Sequence, residues 1–117
     1  MASEVIPFRI AVRTYQNPYW KDEYKITITV HLFDRDIPTR LKWDLQDELS
    51  KLGFELKNAL WYAYGKYCSV WEKNYWWIKF KSEEEAEEFA EREKERMRGR
   101  LMKVVSEFWG LMRYMPR

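Results

Sequence analysis

Aromatic and cationic side chains are crowded together in the middle of this chain. The sequence holds seven Trp and eight Tyr among 117 residues. Between residues 61 and 81 the following rings and lysines are interleaved: Trp61, Tyr67, Trp71, Tyr75 and Trp77, with Lys66, Lys73, Lys79 and Lys81. Flat rings can stack on nucleobases while cations neutralise phosphates, which is the chemistry of a surface that binds a single strand. The other interpretation is that the rings fill the core of a small domain.

Two segments near the N-terminus have the alternating pattern of β-strands. Residues 8–15 alternate apolar and polar side chains, and in residues 24–33 every even position from Ile26 to Leu32 is apolar. Period-two alternation of β-branched residues is typical of a strand with one buried face. Because Gln16-Asn17-Pro18 between them favours a turn, we expect a β-hairpin.

A helix is predicted to follow this hairpin. The acidic residues and the early proline of 34–38 suit a helix N-terminus, and Asp34 and Asp36 are explained there as capping residues. Leucines then recur at helical spacing: Leu41, Leu45, Leu49 and Leu52. Gly53 follows as a left-handed C-terminal cap.

The second half of the chain repeats this order without clear sequence identity. Residues 59–71 predict a third strand, 72–74 a turn and 75–81 a fourth strand. In the fourth strand one face is expected to be buried and the other open: Trp76, Ile78 and Phe80 against Tyr75, Trp77, Lys79 and Lys81. Gly65 could bulge the third strand, which leaves the facing of its rings open.

A long final helix begins at Ser82, where a hydroxyl followed three residues later by Glu85 matches a capping box. A continuous helix from 82 to 114 would extend roughly 50 Å, so we expect a break near Gly99 or a tail that packs on a second copy. The order is ββαββα. It predicts one domain over residues 1–117, an α+β two-layer sandwich with a four-stranded antiparallel sheet and helices on one face.

Composition excludes several classes of protein. No apolar run reaches the ~20 residues of a membrane span, and no signal-peptide pattern opens the chain, so we expect a soluble cytoplasmic protein without membrane partners. The formal net charge is +2, with +3 in residues 1–81, which leaves room for a basic face. Abundant Lys and Glu with few amides is typical of thermophiles.

No constellation predicts catalysis. His31 is the single histidine and has no partner at a suggestive spacing, and Cys68 is the single cysteine. The four glycines are scattered, so no phosphate-binding loop is present. The sequence therefore predicts a protein without enzymatic activity, cofactor or metal.

The predicted binding face follows from the strand alternation. If the even residues of the strands face the helices, the opposite face presents rings and cations. The rings Trp77, Tyr75 and Trp71 would stack bases of single-stranded DNA or RNA, and Arg9, Arg13, Lys25, Lys79 and Lys81 would contact phosphates. The alternative is a structural or protein-interaction module, including an inhibitor of a host protein.

The C-terminal segment raises the question of assembly. Residues 108–115 are apolar on more than one side, and such a helix needs cover from its own domain or from a partner. We therefore expect a homodimer that uses part of residues 101–115.

The chain resembles the non-OB single-stranded DNA-binding proteins of hyperthermophilic archaea. The resemblance rests on the Lys/Glu-rich aromatic composition, the four expected strands and the stretch Tyr75-Trp76-Trp77-Ile78-Lys79-Phe80-Lys81. It implies an antiparallel sheet with helices that form a cleft lined by aromatic residues and edged by basic ones. It assigns no individual residue, and the dimerisation tail of that group has no clear heptad counterpart after residue 101.

Overall fold

The computed structural model describes residues 6–112 and places six elements along them. In chain order they are β1 (Phe8–Gln16), β2 (Glu23–Leu32), α1 (Thr39–Lys51), β3 (Glu55–Ala63), β4 (Lys66–Lys79) and α2 (Glu83–Met112). The strands form one antiparallel sheet in the order β1-β2-β4-β3. The predicted α+β sandwich with the order ββαββα is confirmed.

Strand β2 supplies the centre of the core. Its even residues from Tyr24 to Leu32 are buried, and its odd residues are only partly covered. Ile28, Val30 and Leu32 share one core cluster with the leucines of α1 and the apolar stripe of α2: Leu41, Leu45 and Leu49, with Met97, Leu101, Val105 and Phe108. Each fully buried Ile or Leu contributes about 1.5–3 kcal/mol. The predicted burial of Ile26, Ile28 and Val30 is confirmed.

Of the two caps predicted for α1, the structure confirms the C-terminal one and contradicts the N-terminal one. Gly53 adopts a φ of 92° and the Phe54 N–H donates to the Leu49 carbonyl, so the predicted left-handed cap is confirmed. The predicted capping by Asp34 and Asp36 is wrong, because Pro38 is the N-cap and no side chain bonds to the first turn. Asp34 and Asp36 lie in the loop before the helix, and the Asp36 carboxylate instead forms an ion pair with the Lys66 ammonium at 3.2 Å.

Helix α2 is continuous over 30 residues. Of the two expected arrangements, the break near Gly99 is therefore wrong, and the tail that packs on a second copy stays a prediction. The Glu85 N–H donates to Ser82 Oγ at 3.2 Å, as the capping box predicts.

Phe89 and Glu93 of α2 contact Tyr75 of the sheet, and further along the helix Arg100 pairs with Glu48 of α1 at 2.8 Å. Because α1 covers the apolar side chains of α2 that lie beyond the sheet, the long helix needs no break.

A tight turn at Tyr64-Gly65 joins β3 to β4, and the predicted turn at 72–74 is wrong. Both turn residues have positive φ, 55° and 76°, as a two-residue type I′ hairpin turn requires. Gly65 therefore closes the hairpin instead of bulging a strand. Tyrosine is not a typical residue for the first turn position, which is why the sequence pattern does not reveal it.

The single long strand β4 reverses the expected facing of two rings. Val30 of β2 pairs with Trp71 and Ile26 pairs with Tyr75, so both rings point towards the helices with the buried residues of β2. Trp71 is buried and its indole N–H donates to Ser69 Oγ at 3.0 Å. The Tyr75 hydroxyl donates to the Glu93 carboxylate at 2.6 Å. The prediction that Trp71 and Tyr75 lie on the open face is wrong.

Replacement of Tyr75 by Phe tests this orientation. The change removes a hydrogen bond to a charged acceptor, so we expect a loss of about 1.5 kcal/mol in the free energy of unfolding. Burial, and then the bond to Glu93, raise the pKa of Tyr75 to about 12. The unfolded phenol ionises first, so the advantage of the wild type is complete below pH 10 and declines as the pH rises towards 12.

Urea titrations of both proteins from pH 7 to 11.5 measure this difference. The control is Tyr15→Phe, because the Tyr15 ring is exposed. Equal losses in the two variants would contradict the buried bond.

Candidate nucleic-acid interface

The sheet face turned away from the helices is called the open face here, and it carries the odd residues of β1 and β2. The structure places Arg9, Arg13 and Lys25 there, as expected from the alternation. Lys79 pairs with Glu23 of β2 and so shares this face. Lys81 is exposed and follows the end of β4, beyond the sheet.

A β-bulge places two consecutive tryptophans on the open face. The partners of Tyr24 and Ile26 in β4 are Ile78 and Tyr75, so one residue of β2, Lys25, stands opposite both Trp76 and Trp77. In a regular strand two successive side chains would point to opposite faces. Here Trp77 adopts a φ of 50°, and the bulge brings both rings to one side.

These residues form what we call the tryptophan cluster: Tyr15, Lys25, Trp76 and Trp77. The Lys25 ammonium lies 4.3 Å from the centre of the Trp76 ring, and the Tyr15 and Trp77 ring centres are 6.3 Å apart. Together they border a groove of about 490 Å³ whose lining includes Ala11, Thr27 and Thr29. Because those side chains are small, the rings stand above the floor of the groove with room for a flat ligand.

Sequence reasoning misses Trp76, which it assigns to the core with Ile78 and Phe80. Trp76 is 60% exposed, and the other two side chains are only half-buried. The predicted burial of Trp76 is wrong because the bulge shifts the alternation by one residue and leaves its ring on the open face. Ile78 pairs with the buried Tyr24, and Phe80 contacts Phe89 of α2, so both face the helices as predicted but are only partly covered. Two adjacent tryptophans in an alternating strand are the one local sign of this shift.

A second group of rings, the Tyr64 cluster, lies at the other end of the open face: Arg9, His31 and Tyr64. The Arg9 guanidinium carbon lies 4.2 Å from the Tyr64 ring centre, and His31 meets the same ring edge-on at 5.2 Å. Burial, and then the positive charge of Arg9, lower the pKa of His31 below its usual 6.5. The imidazole is therefore neutral at pH 7, and Arg9 is the cation of this cluster.

Charge is divided between the two layers. The strand positions of the open face carry four cations against three carboxylates: Arg9, Arg13, Lys25 and Lys79 against Glu23, Glu72 and Glu55, which pairs with Glu72. Glu72 already lies 3.9 Å from Lys57. On the other layer, α2 presents a run of acids, including Glu84, Glu87, Glu88 and Glu91. The electrostatic field of these charges therefore favours a negative charge on the open face over the acidic first turns of α2.

Other chemistry finds little support within residues 6–112. No group of three His, Cys, Asp or Glu side chains in that range could hold a metal ion. Cys68 is buried, and burial raises the pKa of its thiol, which disfavours the nucleophilic thiolate. None of the helices described is long and apolar enough to cross a membrane.

Comparison with known proteins finds no matching family model, no matching curated protein and no matching solved structure. The geometry of the open face is therefore the basis for the function proposed below.

The bulge should reverse the relative stability of glycine and alanine variants between Trp76 and Trp77. A left-handed backbone costs an L-residue with a side chain roughly 1–2 kcal/mol, and glycine avoids this cost. We therefore expect Trp77→Gly to be more stable than Trp77→Ala by about 1 kcal/mol. At Trp76, where no positive φ occurs, the order should reverse, with Gly less stable than Ala by about 0.5–1 kcal/mol.

Chemical denaturation of the four variants measures both differences. The Trp76 pair is the control, since it samples the same strand with an ordinary backbone. The same Gly–Ala order at both positions would contradict the bulge.

Proposed function

We propose that this protein binds single-stranded DNA or RNA in the groove of the tryptophan cluster. The observation that carries the proposal is the bulge at Trp76 and Trp77. It keeps a bulky residue in a left-handed conformation, and the result is two large apolar rings facing solvent beside cations. Strained backbone of this kind costs about 1–3 kcal/mol and is concentrated at functional sites.

Stacking supplies the affinity in this proposal. Each base that stacks on an aromatic ring contributes roughly 1–3 kcal/mol by alanine substitution, with little dependence on sequence. Tyr15, Trp76 and Trp77 provide three rings, and only unpaired bases can reach them flat. Lys25 and Arg13 lie within the same groove to contact phosphates, and Lys79 extends the cationic surface along β4.

The proposed binding residues thus differ in part from those predicted from sequence. Trp77, Arg9, Arg13, Lys25, Lys79 and Lys81 are retained, although Lys81 lies beyond the sheet. Trp71 and Tyr75 are removed because they face the helices, and Trp76 and Tyr15 are added.

Trp76 and Trp43 provide a matched pair for the first experiment. Trp76 and Trp43 are 60% exposed, but Trp43 lies on α1 in the opposite layer. We expect Trp76→Ala, like Trp77→Ala, to weaken binding of a labelled oligothymidylate by roughly 1–3 kcal/mol of stacking. Trp43→Ala should leave the affinity unchanged. Fluorescence anisotropy at low salt measures all three, and equal effects of Trp76→Ala and Trp43→Ala would remove the groove from the proposal.

Salt dependence separates stacking from phosphate contact. Because each neutralised phosphate of a single strand releases counterions, Lys79→Ala should reduce the slope of log affinity against log salt by roughly 0.7–1. Trp77→Ala should weaken binding with little change in slope. Lys103→Ala, an exposed lysine on α2, is the control and should alter neither quantity. A folded wild type that binds no DNA or RNA at low salt would contradict the proposed function.

A second candidate function is a protein-interaction module. It is favoured by apolar side chains at the end of the β3–β4 hairpin, where Leu60, Trp61 and Tyr62 are each exposed by half or more. The predicted homodimer belongs to this candidate. Phe108 is buried in its own chain and Trp109 is partly covered. Leu111 and Met112 remain exposed, and residues 113–115 lie outside the part that the structure describes.

Light scattering at micromolar concentration tests the dimer. We expect a mass twice that of the 14.5 kDa chain, and a shift to monomer in Leu111→Glu because a charge cannot be buried there without large cost. A monomeric wild type would contradict the predicted dimer and leave the nucleic-acid proposal unaffected.

A further inference from the structure

We infer that the Tyr64 cluster is a second base-stacking platform, and that one nucleic-acid strand lies along β2 to reach both clusters. The inference rests on the proposed function and adds to it a binding path and a minimum ligand length.

The sheet register places the two clusters on one face at a fixed separation. Lys25 pairs with Tyr15 at one end of the β1–β2 ladder, and His31 pairs with Arg9 at the other. Lys25 and His31 occupy odd positions of the same strand, six residues apart. At about 3.3 Å per residue, the two clusters are roughly 20 Å apart along β2.

Unusual backbone conformations occur in the same two clusters. Within residues 6–112, Tyr64 and Trp77 are the two residues other than glycine with positive φ, 55° and 50°. A type I′ turn favours Asn, Asp or Gly at the position that Tyr64 occupies, so tyrosine is a costly choice for folding alone. Both strained positions carry an aromatic ring, and both rings belong to clusters on the open face. The sheet register fixes the backbone at both positions, but it does not require an aromatic side chain at either. A shared ligand explains the aromatic choice at both positions at once.

The Tyr64 cluster has the chemistry of a stacking platform. The Arg9 guanidinium already lies over the Tyr64 ring, and both side chains are exposed. Unpaired bases stack on arginine planes as well as on aromatic rings. The edge-on imidazole of His31 is uncharged and holds the Tyr64 ring from the side. A base that stacks here would meet one fixed cation, which can also contact its phosphate.

The surface between the clusters suits a strand that continues from one to the other. Its centre carries Arg13, Thr27 and Thr29, which also line the groove of the tryptophan cluster, together with Glu72. The Glu72 carboxylate accepts a hydrogen bond from Asn74 at 3.0 Å and lies 3.9 Å from the Lys57 ammonium, which offsets its charge. At the 3.4 Å rise of stacked nucleotides, 20 Å corresponds to about six nucleotides. A strand of that length can engage both clusters, and a trimer can engage only one.

The experiment combines a length series of oligothymidylates with variants at each cluster. For the wild type we expect affinity to rise between the trimer and the octamer by roughly 5- to 150-fold, the range of one added stack. Tyr64→Asn removes the ring and keeps a residue that the turn prefers. It should weaken octamer binding by a similar factor and leave trimer binding within twofold. Trp77→Ala should weaken both lengths.

Two further variants make the result decisive. Arg9→Ala removes the guanidinium plane that lies over the Tyr64 ring and leaves the turn unchanged. Like Tyr64→Asn, it should weaken binding of the octamer and not of the trimer. Tyr67→Ala is the control, since its ring lies on the same hairpin but contacts Tyr62 instead of Arg9; it should have no effect at either length.

Two outcomes would overturn the inference while the proposed function stands. One is an octamer affinity unchanged by Tyr64→Asn and Arg9→Ala but lowered by Trp77→Ala. The other is equal loss at both lengths in Tyr64→Asn. A complete lack of binding by the wild type would instead overturn the proposed function itself.

Discussion

The pairing of β2 with β4 is the constraint on which the rest of this structure depends. These are the two central strands of the sheet, and β2 divides its residues cleanly between core and open face. Whatever β4 places opposite an even residue of β2 is carried into the core, and whatever it places opposite an odd residue reaches solvent. The register therefore determines whether a ring of β4 packs beneath the helices or lies on the open face, as it does for Trp71, Tyr75, Trp76 and Trp77.

The bulge opposite Lys25 changes that division within one strand. Before it, Trp71 and Tyr75 anchor the helices through burial and through the Tyr75–Glu93 bond. After it, Trp76 and Trp77 lie together on the open face. The left-handed backbone of Trp77 costs roughly 1–2 kcal/mol, which is small beside the fully buried Ile26 and Ile28 across the ladder. A well-packed core thus stabilises a local conformation that is unfavourable in itself.

The helical layer contributes to the open face indirectly. Together α1 and α2 cover one side of the sheet and leave the other side open. Its acidic residues also concentrate negative charge on the covered side, while the cations of β1 and β2 lie on the other. This separation favours one side for an anionic ligand, whatever its sequence.

Local periodicity is what the sequence by itself determined. The alternation of β2, the leucine stripe of α1, the cap at Gly53 and the hydroxyl N-cap at Ser82 all depend on neighbours along the chain, and the structure confirms each. These patterns were sufficient for the fold class and for the placement of Arg9, Arg13 and Lys25 on the open face.

Only the tertiary structure decided which rings reach that face. The turn at Tyr64-Gly65 and the bulge at Trp76 are fixed by how β4 fits against β2 and β3, and neither has a strong local signal. An aromatic ring is equally suited to a core and to a stacking surface, so the types of Trp71 and Trp76 could not separate them. A shift of one residue in register reverses every side chain of a strand, and that register is a property of the assembled sheet.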